Sequence, residues 1–184
     1  MKEILAYVLA IAGTGMIAVS VIAAIAGNVK YMFARVTLTQ LLRTNPAHAM
    51  LVCRTKPGTF YEAIGTVIKA LAMAKTNDLA VITATSLPTY DAAGMGISTK
   101  WKMLVGKSKL AAGMAFGGLA LSLSGGGVPV LLILLAIGAG GGFLYLLWFK
   151  SEIDRSIIQA RAEVLPEVDR MFAEGRYVPP PSHI

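Results

Sequence analysis

Two runs of the sequence contain no charged residue and are long enough to cross a lipid bilayer. The first covers 4–27, with 24 residues, and the second covers 128–149, with 22 residues. As α-helices they would extend roughly 36 Å and 33 Å, against a hydrocarbon core of about 30 Å. The whole chain is 55% hydrophobic and only 15% charged, whereas soluble domains are about 25% charged. The sequence therefore predicts an integral membrane protein.

A secretory signal peptide is the alternative interpretation of the first run. Lys2 precedes the run, and Ala24-Ile25-Ala26 is similar to a cleavage site. The apolar core of a signal peptide is usually about 7–15 residues long, however, and its start is basic rather than acidic as at Glu3. We therefore predict a retained membrane helix over 1–27.

A third apolar run, 110–125, is shorter, and its 16 residues would extend roughly 24 Å as a helix. Extension back to Met103 gives enough length if Lys107 and Lys109 reach the interface with their ammonium groups. The link to the next run, SGGGVP, is so short that 109–149 should form an antiparallel transmembrane hairpin. A re-entrant hairpin that does not cross is the alternative, and it returns the chain to the same side.

Charge predicts the orientation of these helices. Residues 28–109 contain eleven basic and three acidic side chains, a net charge of +8, and the hairpin turn contains none. Basic loops stay on the cytoplasmic side of a membrane. The N-terminus and hairpin tip should lie outside, and the segments 28–108 and 150–184 should be cytoplasmic.

The cytoplasmic segments should be helical. We expect Lys30–Arg43 to continue the first membrane helix, and Asn45-Pro46 to start a helix that runs to Arg54. A further helix start is predicted at the capping box of Thr59 and Glu62, and the helix that follows has Ile64, Ile68, Leu71 and Ala72 on one face. Two more starts are predicted, at Thr76-Asn77-Asp78 and at a second box from Ser151 to Asp154.

Residues 79–87 are rich in β-branched side chains, yet we place them in a helix that Pro88 kinks or ends, followed by a helix over 91–109. The tail from Lys150 has a net charge of −1 and an apolar stripe that Pro166 interrupts. Its acids could pair with the basic loop, but a solvated helix face is the favoured interpretation. The fold class is therefore an all-α membrane protein: three transmembrane helices, a helical cytoplasmic domain between the first two, and a C-terminal cytoplasmic helix.

Catalytic and metal chemistry are not indicated. His48 and Cys53 are five residues apart and face different sides of their predicted helix, so a buried thiol and a surface imidazole are expected. One cysteine and two distant histidines, His48 and His183, match no metal-ligand spacing. The glycine runs at 125–127 and 138–142 lack the lysine and the strand of a phosphate loop. We predict a non-enzymatic protein without cofactor or metal, and nucleic-acid binding is not expected.

Glycine instead indicates helix packing. Gly113 and Gly117 are four residues apart, as are Gly138 and Gly142, and such pairs let membrane helices approach closely. We predict that these glycines serve a tight hairpin or an oligomer. The candidate polar groups of a pore are few: Thr14, Ser20, Ser122 and Ser124.

The layout of one helix, a long helical loop, a hairpin and a helical tail resembles the MotA/TolQ/ExbB proton-channel family, most closely its TolQ/ExbB branch. The stretch LLRTNPAHAMLVCRTKPGTFYEAIGTVIKAL is similar to the segment after the first helix in that family, and Trp101 stands shortly before the second. The resemblance implies a homo-oligomer, possibly a pentamer, in a bacterial inner membrane. It also implies a single-pass partner of the ExbD or TolR type that supplies an aspartate.

The third helix departs from that family, because 128–149 contains no Ser, Thr, Asn, Gln or acid. The expected function is therefore a TolQ/ExbB-like scaffold or energy-transducing channel component of an envelope machine, without the usual polar proton path. The alternatives are a small pore or pilin-like subunit of a secretion or conjugation system, and a basic membrane anchor that binds anionic lipid or nucleic acid. Anionic lipids are expected partners in each case.

Overall fold

A computed structural model describes residues 2–126, 129–177 and 179. Every regular element in this part of the chain is an α-helix, which confirms the all-α prediction. The described helices, in chain order, are α1 (Lys2–Gly27), α2 (Tyr31–Thr44), α3 (Pro46–Thr55), α4 (Phe60–Ala74), α5 (Leu79–Leu123), α6 (Val130–Glu163) and α7 (Leu165–Ala173).

The chain divides into two compact units. The apolar unit consists of 1–26 and 101–151, and the charged unit consists of 27–100 and the residues from 152 onward. Helix α5 begins in the charged unit and ends in the apolar unit, whereas α6 does the reverse. The chain passes between the units three times, and the passages at 100–101 and 151–152 lie within uninterrupted helix.

In the apolar unit, α5 runs antiparallel to α1. Gly118, near the end of α5, lies against Ala6, near the start of α1, whereas Gly13 lies against the earlier Ala111. The order of the contacts is thus reversed between the two helices. Small side chains at all four positions bring the helix backbones close together.

Helix α6 runs parallel to α1 in the same unit. Leu132, at the start of α6, packs with Ala6 and Ala10, and Gly142, two to three turns later, lies against Ile17. The apolar unit is therefore a bundle in which the end of α5 runs opposite to α1 and α6. This is the order expected of a helix followed by a hairpin.

Two helical stretches are long and apolar enough to cross a membrane: Lys2–Gly27 and Val130–Ala173, each with a mean hydropathy of 2.4 in its most apolar window. The first and third predicted crossings have this length and composition. Helix α5 is not among them, since Lys107 and Lys109 interrupt its apolar part. The second crossing stays a prediction.

Three expectations about helix boundaries were wrong or too broad. Helix α1 does not continue into α2, because Gly27 and Asn28 end it and the backbone is extended at Lys30. The box at Ser151 starts no helix, since α6 runs through it. Pro88 does not end a helix either; it lies inside α5, which is continuous over 79–123.

The other expected boundaries are confirmed. The Asn45 side chain accepts a hydrogen bond from the His48 N–H at the start of α3. The Thr59 hydroxyl oxygen accepts a hydrogen bond from the Tyr61 N–H at the start of α4, and the Glu62 carboxylate accepts one from the Gly58 N–H at 2.6 Å. These caps satisfy amide groups that a helix start leaves without partners.

The core of the charged unit lies among α2, α3, α4 and α7. The Tyr31 and Phe60 rings meet edge to face with centroids 5.3 Å apart, and Phe60 stacks on Tyr61. Helix α7 buries one face on α2 and α4, with Leu165, Val168, Met171 and Phe172 as its buried side chains. Pro166 lies in the first turn of α7, where a missing amide hydrogen costs least.

Candidate functional site

The closest helix contact of the apolar unit lies between α1 and α5. A Cβ atom at Gly13 would come within 2.9 Å of the Ala115 backbone nitrogen, and one at Gly118 within 2.5 Å of the Ala6 carbonyl oxygen. No side chain fits in either place without moving a backbone. Glycine at these two positions is thus what allows the two helices to touch.

The three helices meet around Ile17. Its side chain lies in a cluster of alanines from α5 and α6, namely Ala111, Ala112, Ala115 and Ala139. A Cβ atom at Gly142 would approach the Ile17 Cγ2 atom to 2.5 Å. One large side chain among small ones fills the centre of the bundle, and dispersion contacts hold it.

The structure distributes the four predicted packing glycines unevenly. Gly142 lies at the α1–α6 contact, where the approach of Ile17 accounts for its lack of a side chain. Around Gly113, Gly117 and Gly138, a Cβ atom would meet nothing within 4 Å apart from the adjacent residues and the backbone of its own helix. These three are therefore not used for packing within the chain.

Sequence reasoning missed Gly13 and Gly118. The sequence does contain a signal for this contact, but it is a row of small residues at intervals of four and three and not a GxxxG pair. They are Ala6, Ala10 and Gly13 in α1 and Ala111, Ala115 and Gly118 in α5. All six lie on the faces that meet in the bundle.

The four candidate polar groups do not line a common path within the chain. The Thr14 hydroxyl donates to the Ala10 carbonyl at 2.8 Å and lies 3.3 Å from the Leu135 carbonyl of α6. Ser20 donates to the Met16 carbonyl, and Ser124, in the exposed turn after α5, donates to the Leu121 carbonyl. Ser122 is buried. Local backbone bonds thus occupy three of the four hydroxyl protons.

In the charged unit, a carboxylate of α6 joins two side chains of α2. One Glu163 oxygen accepts hydrogen bonds from the Tyr31 hydroxyl at 2.9 Å and the Arg35 guanidinium at 2.7 Å. These bonds hold the pKa of Glu163 below its ordinary value, Arg35 contributing most. The pKa of Tyr31 is raised, first by burial and then by the same carboxylate.

Two further ion pairs join α6 or α7 to earlier helices. Arg43 of α2 binds Glu167 of α7 through two nitrogens, and the Nε distance is 3.0 Å. This bond lowers the pKa of Glu167. Arg161 of α6 binds Asp91 of α5 at 2.8 Å. The favoured interpretation of the tail as a solvated face was therefore wrong, since two of its acids pair with the basic segment of the same chain.

Cys53 and His48 lie as the sequence predicted. Cys53 is buried, and burial raises the pKa of its thiol to about 12, so the reactive thiolate is almost absent at neutral pH. His48 is exposed. Within the described residues no cluster of three His, Cys, Asp or Glu side chains could hold a metal ion. His183 lies outside the described part of the chain.

Comparison with known proteins returned no matching family model, no matching curated protein and no matching solved structure. Functional inference therefore rests on the residues described above. They form a close-packed apolar bundle in one unit and a network of paired charges in the other.

Proposed function

We propose that the chain is a homo-oligomeric membrane subunit, similar in plan to TolQ and ExbB, that acts as a scaffold in an envelope-spanning machine of a bacterial inner membrane. One observation carries the proposal: the outer surface of the apolar unit consists largely of exposed large apolar side chains. On α1 and α6, Val19 is 69% exposed and Ile137 is 66% exposed. A lipid or a second apolar helix satisfies such a surface, and water does not.

The arrangement of α5 supports three crossings. Residues 111–122 pack beside α1 and α6, so this part of α5 shares their depth wherever they cross a bilayer. All four lysines of the α5 and α6 parts of the bundle lie on the side of its middle away from the uncharged turn at 124–126: Lys102 and Lys150 at the end, and Lys107 and Lys109 between that end and the middle of α1. This distribution supports a cytoplasmic location for the lysine end.

Cysteine accessibility tests this orientation. Cys53 is buried and slow to react, so single exposed cysteines can be added to the natural sequence. Ser124→Cys should react with an impermeant maleimide from outside intact cells, and Lys69→Cys should react only after permeabilisation. Labelling of Lys69→Cys in intact cells would overturn the orientation.

The open glycines support self-association. Gly113, Gly117 and Gly138 leave unfilled space on the outer surface of the apolar unit, where the backbone of a second copy could approach. Gly117→Leu should therefore convert the oligomer to smaller species in native mass spectrometry. Gly96→Leu is the matched control, because Gly96 is also open and lies in the same helix but in the charged unit. An unchanged oligomer in Gly117→Leu contradicts the proposal.

The scaffold role without a proton path has its own test. In the described apolar unit, the local backbone hydrogen bonds of Thr14, Ser20 and Ser124 leave few polar groups for proton transfer. We expect the purified protein, reconstituted in vesicles without a partner, to show no proton flux in a pH-sensitive dye assay. Sustained flux would refute the scaffold role in favour of a channel.

A further inference from the structure

The apolar unit has a groove of about 380 Å³ on its surface between α1 and α5. The α1 wall consists of Gly15, Met16, Val19 and Ser20, and the α5 wall includes Leu104 and Lys107. Gly15 has no neighbour within 4 Å of a Cβ position, so the groove is open above it. The lining is apolar apart from two hydroxyls and one ammonium group.

The hydroxyl groups of the groove are already engaged. Ser20 donates its proton to the Met16 carbonyl at 2.9 Å, and the buried Ser108 donates to the Leu104 carbonyl at 2.9 Å. Neither is a free donor for a ligand. Lys107 is therefore the group that sets the polarity of what the groove can hold.

Lys107 has no counter-charge within the described part of the apolar unit. The one carboxylate of this unit is Glu3, in the first turn of α1, whereas Lys107 lies level with Gly15 to Ser20. Ser20 is seven residues before the end of α1, or about 10 Å along the helix. An ammonium group inside the length that α1 offers to hydrocarbon is costly unless an anion meets it.

We propose that this groove binds an anionic phospholipid, with its phosphate on Lys107 and one acyl chain along Gly15, Met16 and Val19. The inference rests on the proposed membrane location and adds a specific site to it. Charge complementarity selects the headgroup, and the open apolar wall of α1 accommodates the chain. The lipid supplies the missing negative charge at the depth where the lysine lies.

The neighbouring lysine provides a matched control. Lys109 is exposed on the same helix but does not line the groove. Lys107→Gln and Lys109→Gln remove the same charge from one helix, so they change the general attraction to an anionic surface equally. A difference between them measures the groove itself.

The experiment uses the full chain in nanodiscs of equal phosphatidylglycerol and phosphatidylcholine. After extraction into mild detergent, the lipids that remain bound are quantified by mass spectrometry. The natural protein and Lys109→Gln should retain phosphatidylglycerol in preference to phosphatidylcholine. Lys107→Gln should lose about fivefold more of that preference than Lys109→Gln does, an amount equal to one further lysine–anion interaction. Gly15→Leu, which fills the groove, should lose retention of both lipids.

Several outcomes would overturn the site. Equal preference in Lys107→Gln and the natural protein shows that the lysine does not select the lipid. Displacement of the lipid by inorganic phosphate alone shows a simple anion site. A change of oligomer in Lys107→Gln with lipid retention intact assigns the lysine to a second chain. Flotation with vesicles separates the lipid site from the proposed membrane location. If the protein floats but shows no lipid preference, only the groove site is refuted. If it does not float, the membrane location is refuted too.

Discussion

The apolar unit and the charged unit use different means to hold helices together. In the apolar unit, α1 and α5 touch through Gly13 and Gly118, and the centre is one isoleucine among alanines. In the charged unit, the helices are joined by aromatic rings and by pairs such as Arg35 with Glu163. If the apolar unit lies in lipid, as proposed, close packing is the attraction that remains between its helices, whereas paired charges suit a surface that water reaches.

The comparison predicts that added volume damages the apolar unit most. Gly13→Ala places a Cβ atom against the backbone of α5, and overpacking of this kind costs about 1–3 kcal/mol of unfolding free energy. Gly106→Ala, in the same unit, is the matched control, since its Cβ atom meets open space and Gly106 is not one of the glycines proposed for self-association. It should be neutral or stabilise the helix by up to about 1 kcal/mol. Thermal unfolding in detergent, followed by the fluorescence of Trp101 and Trp148, measures both.

If Gly13→Ala unfolds at the temperature of the natural protein, then the α1–α5 contact is looser than the structure shows. Close backbone packing would then no longer distinguish the apolar unit from the charged unit.

Acid should weaken the charged unit and spare the apolar unit. The pKa values of Glu163 and Glu167 are lowered in the folded chain, so both stabilise it above their ordinary value of 4.5. That stability is lost as pH falls through the folded pKa values. The reactivity of Cys53 toward a disulfide reagent active in acid should rise first, while the fluorescence of Trp101 and Trp148 stays constant.

Two variants sharpen the acid test. The double variant Glu163→Gln, Glu167→Gln should show a much flatter dependence on pH, because the titrating groups are gone. Asp169 has the opposite sign, since burial raises its pKa and its protonation favours the folded chain. Asp169→Asn should therefore make the acid loss steeper. An unchanged profile in the double variant assigns the acid response to other groups.

Arg176 should contribute a smaller amount. Its guanidinium donates to the Leu42 and Arg43 carbonyls at 3.2 Å each, at the end of α2, where a helix leaves carbonyls without partners. Arg176→Ala should cost about 1 kcal/mol. Arg155→Ala, which removes an exposed arginine of the same charge, should have almost no effect. Equal losses in chemical denaturation would show that the cap contributes nothing beyond its charge.

The smallest expected effect is a gain at Lys75. This residue ends α4 with a left-handed backbone at φ +50°, which costs a side-chain-bearing residue roughly 1 kcal/mol and costs glycine little. Lys75→Gly should raise the free energy of unfolding by up to about 1 kcal/mol. Lys69→Gly, in the interior of the same helix, should lower it by a similar amount.

Local signals predicted most helix starts correctly. Asn45, Thr59 and Asp78 each cap the helix that their sequence context predicted, because a cap depends on residues only a few positions away. The box at Ser151 failed for the same local reason: a capping pattern is compatible with a helix interior when no breaker precedes it. Gly27-Asn28 is a local signal for the end of α1. The prediction that Lys30–Arg43 continues the first membrane helix gave this signal too little weight.

Contacts between distant segments could not be predicted in this way. A glycine pair in one helix does not reveal which side faces a neighbour, so Gly113 and Gly117 looked equivalent to the glycines that do pack. The pairing of Glu163 and Glu167 with α2 depends on the path of α6, which no local pattern specifies. For the predicted pore hydroxyls, the sequence does not show which groups they face in the bundle, so it could not test whether they line a path.

The α1 contacts have a consequence for biosynthesis. The Thr14 hydroxyl and its α6 acceptor, Leu135, are 121 residues apart. At about 5–20 residues per second, the ribosome adds that length in roughly 6–24 s. For that time α1 exists without α6, and for most of it without the part of α5 that covers Gly13, because Ala111 follows Gly13 by 98 residues (111 − 13). A newly made helix from a sibling ribosome offers the same α5 and α6 surfaces, so exchange of helices between chains competes with closure of each bundle during synthesis.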